Sequence, residues 1–286
     1  MPFNALRLVL CTQPRSASAV LGGNGKILRP HIFPSPRLAP LPYPAPVLSD
    51  KQWKTEAVLF LGCGLMVSLA LGMFVTLALR MFAPDTPVVE QRFINFLISN
   101  VSFQIVPIIL IHYFLKQHEL TWAEFLGLRG PNLHRALVLG LAVAAIALPL
   151  TLGLNELSKL LITWIDKAPD QQPTMKILES TVSLGQRIWF GATAILLAPL
   201  MEEIIFRAVA YRFLRQHGHP RLALFGTALL FGAIHGSAMT LVPLTVLAVI
   251  LALLYEKTGN LAAPIFAHAV FNAVNFTMFL LAPKQI

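Results

Sequence analysis

Two adjacent carboxylates, Glu202 and Glu203, lie in the apolar stretch ILLAPLMEEIIFRAVAY, with Arg207 four residues after the second. A charge inside an apolar membrane helix costs about 2.5–3.5 kcal/mol on insertion scales, so such residues persist where they are paired or used. Glu203 and Arg207 share a helix face and can pair. Glu202 lies about 100° around the helix and has no local cation. Two more apolar segments each carry a histidine: His235 follows Phe231 by four in FGAIHGS, and His268 precedes Asn272 by four in HAVFN. An adjacent Glu and His can take a proton from water and leave a hydroxide-like nucleophile. A second His with an amide such as Asn272 can donate hydrogen bonds to the oxyanion of an attacked carbonyl. Together these groups would make a hydrolase. No Ser sits in a G-x-S-x-G turn, and neither cysteine, Cys11 or Cys63, is near a histidine in sequence, so nothing supports a covalent nucleophile. A zinc ion on Glu202, His235 and His268 is the metal alternative, since zinc accepts imidazole and carboxylate with a position left for water. The H-E-x-x-H signature is absent.

The elements that carry these residues must be membrane helices. The chain has 286 residues, 56% hydrophobic and 12% charged, with a mean hydropathy of +0.69. That leaves too few charges to clothe a soluble globule and too much apolar surface for general disorder. The expectation is an all-α, polytopic transmembrane bundle of about seven spans (six to eight), at 57–79, 94–115, 136–154, 188–211, 221–238, 241–256 and 261–281. Counting about 1.5 Å per residue from flanking connectors puts Glu203, His235 and His268 about 18, 21 and 12 Å from one membrane face, a plausible common depth. The four tryptophans fall at span edges, where the indole N–H can be wetted. Residues 156–166 read as a segment lying on the membrane surface.

A net charge of +9 could suggest nucleic acid, but the basic residues are scattered among short connectors, and positive-inside topology explains them more simply. The balance favours a cytosolic N-terminus. Residues 1–50, with nine prolines of which Pro40, Pro42, Pro44 and Pro46 are spaced by two, five Lys or Arg and one acid, read as a disordered tail before a transmembrane domain at 51–286. A bacterial inner membrane is the favoured location. The basic, acid-poor tail keeps an organellar one open.

Taken jointly, Glu202-Glu203-x-x-x-Arg207, Phe231-x-x-x-His235 and His268-x-x-x-Asn272 resemble the three motifs of the CPBP intramembrane proteases, which include CAAX-processing endopeptidases and bacteriocin-processing or immunity proteins. The resemblance covers about 188–281, and TWAEFLGL from Thr121 looks like a family connector. It implies an endopeptidase cutting membrane-associated peptides near the cytosolic face, including proteins lipid-modified at the C-terminus. Carried onto this chain, it implies that Glu202 and His235 activate water and that His268 and Asn272 hold the oxyanion. Glu203 with Arg207 would give structural and electrostatic support, and Phe231 would pack around the site. The family is labelled both as metalloprotease and as a glutamate-and-histidine type; the metal-independent version is favoured here. The alternatives are a non-catalytic immunity or scaffold protein, and a proton or ion pathway, since intramembrane Glu and His also serve relays.

Smaller expectations follow. Pro199 should kink its helix beside the carboxylates, and Asn260 should cap the last span. Gly64, Ser68 and Gly72 form a small-residue stripe for close helix packing or a subunit contact. Asn100 and Gln104 are read as interhelical hydrogen-bonding residues, with substrate contact as the alternative, and Cys63 as buried packing.

Overall fold

The computed structural model describes residues 51–129, 132–165, 178 and 183–281; the expected tail, 1–50, lies outside them. Among the described residues every regular element is helical. Among the described residues seven apolar helices follow one another: α1 (Thr55–Phe82), α2 (Val88–Gln117), α3 (Leu133–Trp164), α4 (Leu184–Gln216), α5 (Leu222–Ile234), α6 (Ala238–Thr258) and α7 (Ala262–Leu281). Six are long and apolar enough to cross a membrane. The protein is thus a multi-pass integral membrane protein. The fifth expected span is shorter than the rest: α5 is only about 20 Å long against a hydrocarbon core of about 30 Å. It turns back through His235, Gly236 and Ser237 into α6, and Gly236 takes the left-handed φ of 66° that the tight reversal requires.

Residues 156–164 are not a separate surface segment. They continue α3 unbroken to Trp164, because no proline lies between Pro149 and Trp164 and the leucine spacing carries the apolar stripe onward. α3 packs on α6 and α7 through small residues: a Cβ on Gly140 would come within 2.8 Å of the Ala263 carbonyl oxygen. The Gly64, Ser68 and Gly72 stripe is a seam within the chain. A Cβ on Gly64 would meet Leu110, one on Gly72 would meet Ser102 Oγ at 2.2 Å, and Ser68 Oγ donates to the Ser102 carbonyl at 2.7 Å. Cys63 is exposed rather than buried, since two residues from Leu61 it points away from the α1 face that packs.

One end of the bundle is tied together by polar contacts, and we call it the near face. Trp53 N–H donates to Gln216 Oε1 at 3.0 Å, Lys54 N–H to His118 Nε2 at 3.0 Å, and Lys51 Nζ to the His118 carbonyl at 3.1 Å. Trp53 is buried rather than wetted; its indole N–H donates to the Ala208 carbonyl at 2.6 Å, and Arg212 lies over its ring. The connector after α2 joins the same face. Thr121 and Glu124 form a capping box on the one-turn helix Trp122–Phe125, and Asn260 Nδ2 donates to the Gly127 carbonyl at 3.0 Å. Asn260 Oδ1 accepts from Ala262 N–H at 2.9 Å, which is the expected cap, behind Gly259 at φ 59°.

Candidate active site

The local sequence of α4 explains how its carboxylates are presented. Residues Thr193–Leu197 form a wide π turn, in which Ala198 N–H reaches back five residues to the Thr193 carbonyl. The next step of that ladder would run from residue 199 to the Ala194 carbonyl, but Pro199 has no N–H. The vacancy is filled from α7: Asn272 Nδ2 donates to the Ala194 carbonyl at 2.8 Å. The expected disturbance at Pro199 is therefore a π turn closed by a side chain, three residues before Glu202.

Around this turn the ionic groups assemble as the spacing predicted and one step further. Glu203 is fully buried, and its Oε1 accepts from Arg207 Nη1 at 2.9 Å. The same oxygen accepts from His268 Nδ1–H at 2.8 Å, so the pair on α4 also orients a ring on α7. Arg207 Nη2 donates to the Ala248 carbonyl of α6 at 3.2 Å. His268 Nε2 stands 3.8 Å from Glu202 Oε2, and Glu202 keeps 13% of its side-chain surface accessible. His235 donates Nδ1–H to the Phe231 carbonyl at 2.7 Å, which leaves the lone pair on Nε2. Phe231 is fully buried under the group, with the Arg207 guanidinium 4.9 Å from its ring centre and the rings of His235 and His268 at 4.9 and 5.8 Å.

A cavity of about 400 Å³ opens against these residues. Glu202, His235, His268 and Asn272 all line it, brought from α4, the α5–α6 turn and α7. Glu203, Arg207 and Phe231 lie behind that wall, not in it. Among the described residues no three His, Cys, Asp or Glu side chains are grouped so as to hold a metal ion. The trio Glu202, His235 and His268 shares the wall without forming such a group, and both ring Nδ1 atoms are engaged elsewhere.

Six polar residues extend the wall: Gln104, Thr151, Asn155, Thr193, Thr240 and Asn275. Gln104 belongs to the cavity and Asn100 does not; the side-chain oxygens of both are buried with no partner, and Asn100 Nδ2 donates to the Phe96 carbonyl within its own helix. Asn275 was legible in the sequence, since His268, Asn272 and Asn275 follow the i, i+4, i+7 rule of one helix face. Asn155 was hidden by ending the third span at 154. His118 is a buried brace of the near face.

Comparisons with known proteins fall on this same part of the chain. Residues 184–274 match a family described as "Type II CAAX prenyl endopeptidase Rce1-like". A Bacillus subtilis (strain 168) protein named "Putative membrane peptidase YdiL" is 31% identical over 77 residues, which is 27% of this chain and 32% of that protein. The chain thus spans about a third of the length of the curated relative it matches. No solved structure matches. The matched segment runs from the start of α4 into α7 and contains all seven motif residues, in agreement with the resemblance of those motifs to the CPBP family.

Proposed function

We propose that this protein is an intramembrane endopeptidase that hydrolyses a peptide bond of a membrane-associated substrate with water activated by Glu202 and His235. The observation that carries the reading is the single cavity wall formed by Glu202, His235, His268 and Asn272. His235 has Nδ1–H fixed by the Phe231 carbonyl, so its free nitrogen, Nε2, is the basic one. Glu202 is the accessible carboxylate, while Glu203 is committed to Arg207 and His268. Water between Glu202 and His235 gives up a proton as its oxygen attacks the substrate carbonyl. The C–N bond then breaks as the leaving nitrogen takes that proton.

The developing oxyanion is held by His268 and Asn272. One Asn272 amide hydrogen is spent on the Ala194 carbonyl, and the second is left for the substrate. His268 has Nδ1–H engaged with Glu203, so Nε2 donates when the ring carries both protons, a cation that Glu202 and Glu203 then flank. Each step uses this chain's own residues, with no metal ion required. Proteins lipid-modified at the C-terminus are the candidate substrates by kinship with the prenyl endopeptidase family.

The test is cleavage of a prenylated-peptide library by purified protein. Glu202→Gln and His235→Ala should each lower the rate by about 10²–10⁴, the usual share of general acid–base catalysis, while the protein stays folded. Full activity in either variant overturns the assignment. Metal analysis with a chelator titration should show cleavage unchanged as bound metal falls to zero; activity that tracks metal content overturns the metal-free route.

A further inference from the structure

We propose, on the reading of the site given above, that Gln104 binds substrate: its side-chain amide accepts a main-chain N–H of the peptide close to the bond that is cut. Among the described residues three buried side-chain oxygens have no hydrogen-bond partner, Asn100 Oδ1, Gln104 Oε1 and Glu203 Oε2. Asn100 and Glu203 lie outside the cavity wall, whereas Gln104 is part of it. A buried acceptor without a donor costs about 1–3 kcal/mol, a cost that is recovered when a ligand brings the donor.

Other polar groups of the wall show what a structural role looks like. Thr151 Oγ1 donates to the Ala147 carbonyl at 2.9 Å, Thr193 Oγ1 to the Phe190 carbonyl at 2.9 Å, and Asn275 Nδ2 to the Phe271 carbonyl at 2.8 Å, each within its own helix. A helix interior offers carbonyls to such hydrogens but has no free N–H for an acceptor, so Gln104 Oε1 must be satisfied from outside α2.

Gln104 also stands at the depth of the accessible carboxylate. It lies 13 residues before the end of α2 at Gln117, and Glu202 lies 14 before the end of α4 at Gln216. At about 1.5 Å per residue both are about 20 Å from the face where residues 51–54 tie those two ends. Residues Val101–Ile105 pack on Ala198–Glu203, so Gln104 and Glu202 come from neighbouring segments. Among the described residues the wall contains no Lys or Arg, and Glu202 is its one acid. A neutral amide on such a wall suits a neutral donor. Phe96, two turns back along α2, stacks on Phe190 with ring centres 5.0 Å apart, and Phe190 on Phe276 at 6.1 Å, a floor that offers no competing hydrogen bond. With a peptide placed for attack beside Glu202, the donor brought to Gln104 is a backbone N–H, which every residue but proline carries. The last torsion of a glutamine is broad and roughly two-fold, so an oxygen turned into the wall can swing to the cavity as that N–H arrives. Peptides with proline at the contacted position are therefore selected against.

The experiment reads binding apart from hydrolysis. Fluorescent prenylated peptides of the library are titrated against the full-length Glu202→Gln protein, with and without Gln104→Met, an apolar replacement of similar length. Gln104→Met should weaken binding about five- to tenfold, while the unfolding midpoint stays the same or rises because a partnerless oxygen is gone. Replacing single peptide N–H groups of the ligand by ester oxygens should reproduce that loss at one position, and the same ester should cost less than twofold once Gln104→Met is present. In protein with Glu202 intact, the loss should appear in KM rather than in kcat. Binding within twofold in Gln104→Met overturns the contact, as do ester and Gln104→Met losses that multiply at every position. Peptides that fail to bind the Glu202→Gln protein at all overturn it too. Peptides that bind with this dependence on Gln104 yet are never cut by the wild-type protein uphold the contact and defeat the peptidase reading instead.

Discussion

Helices α2 and α4 contain the same backbone device put to different ends. In α2 the π turn Val101–Ile105 precedes Pro107, and in α4 the π turn Thr193–Leu197 precedes Pro199. In each, the residue before the proline reaches back five positions, Val106 to Val101 and Ala198 to Thr193. In each, the next carbonyl faces a proline nitrogen without hydrogen and is satisfied by another helix. Ser68 Oγ of α1 donates to Ser102, and Asn272 Nδ2 of α7 donates to Ala194. The difference lies in what the donor also does. Ser68 is buried in a packing seam, whereas Asn272 also lines the cavity, four residues after His268 and three before Asn275. A proline-widened turn is thus a general way to join two membrane helices, and in α4 it has been placed where the joining group can also meet substrate.

Removing the donors should separate those two uses, and this is the largest effect expected. Asn272→Leu leaves the Ala194 carbonyl without a partner and removes an oxyanion donor; cleavage should fall by about 10²–10³, the usual loss for one such donor. Ser68→Ala leaves the Ser102 carbonyl equally unpartnered, at about 1–3 kcal/mol of stability, with the rate constant for cleavage unchanged. Thermal unfolding in detergent measured beside cleavage gives both numbers. Equal loss of activity in the two variants would mean that the turns act only through the fold.

Restoring the missing hydrogen is the next step down. Pro199→Ala supplies an N–H that competes with Asn272 for the Ala194 carbonyl and lets the π turn tighten, rotating Glu202 relative to His268. Cleavage should drop about tenfold at unchanged or higher stability, because a misplacement near 1 Å can cost up to about 10²-fold. Pro107→Ala makes the same change in α2 and should leave the rate within about twofold. Comparable activity in the two variants would show that the turn at Thr193–Leu197 does not set the position of Glu202.

What could be read from the sequence divides along the same line. Charged and polar residues in apolar helices are expensive, so Glu202, Glu203, Arg207, His235, His268 and Asn272 stood out, and i,i+4 spacing gave the Glu203–Arg207 pair. The Glu203–His268 bond joins residues 65 apart, and periodicity along one helix contains no information about which face of α7 meets α4. The π turns were invisible because a proline signals a lost hydrogen bond without saying which carbonyl is left over or what fills it. Tryptophan position failed at Trp53 for a related reason: an edge location is compatible with a wet indole and with one that finds the Ala208 carbonyl.

The smallest effect concerns how the near ends of α2 and α4 are held. Both are tied to residues 51–54, α4 through Gln216 and α2 through His118, and only the second tie can titrate. Neutral His118 donates Nδ1–H to the Phe114 carbonyl at 2.7 Å and accepts Lys54 N–H at Nε2. A proton on Nε2 would remove the acceptor and add charge beside Lys51, Lys54 and Arg212. Burial first, then those three cations, hold the His118 imidazole below its ordinary value of 6.5, against the opposing pull of the Phe114 carbonyl. Above pH 6.5 both the folded and the unfolded chain are neutral at this position, and the brace is whole. As the pH falls through that value and then through the lower folded one, the unfolded chain takes the proton first and stability declines. Between about pH 7.5 and 5.5 the unfolding midpoint should fall by about 1–3 °C, matching less than about 1 kcal/mol in a chain of this size. His118→Gln, which can accept from Lys54 N–H without titrating, should remove that part of the slope, and Gln216→Ala should lower the midpoint equally at both pH values. A slope unchanged in His118→Gln would place the titrating group elsewhere and leave the two ties alike.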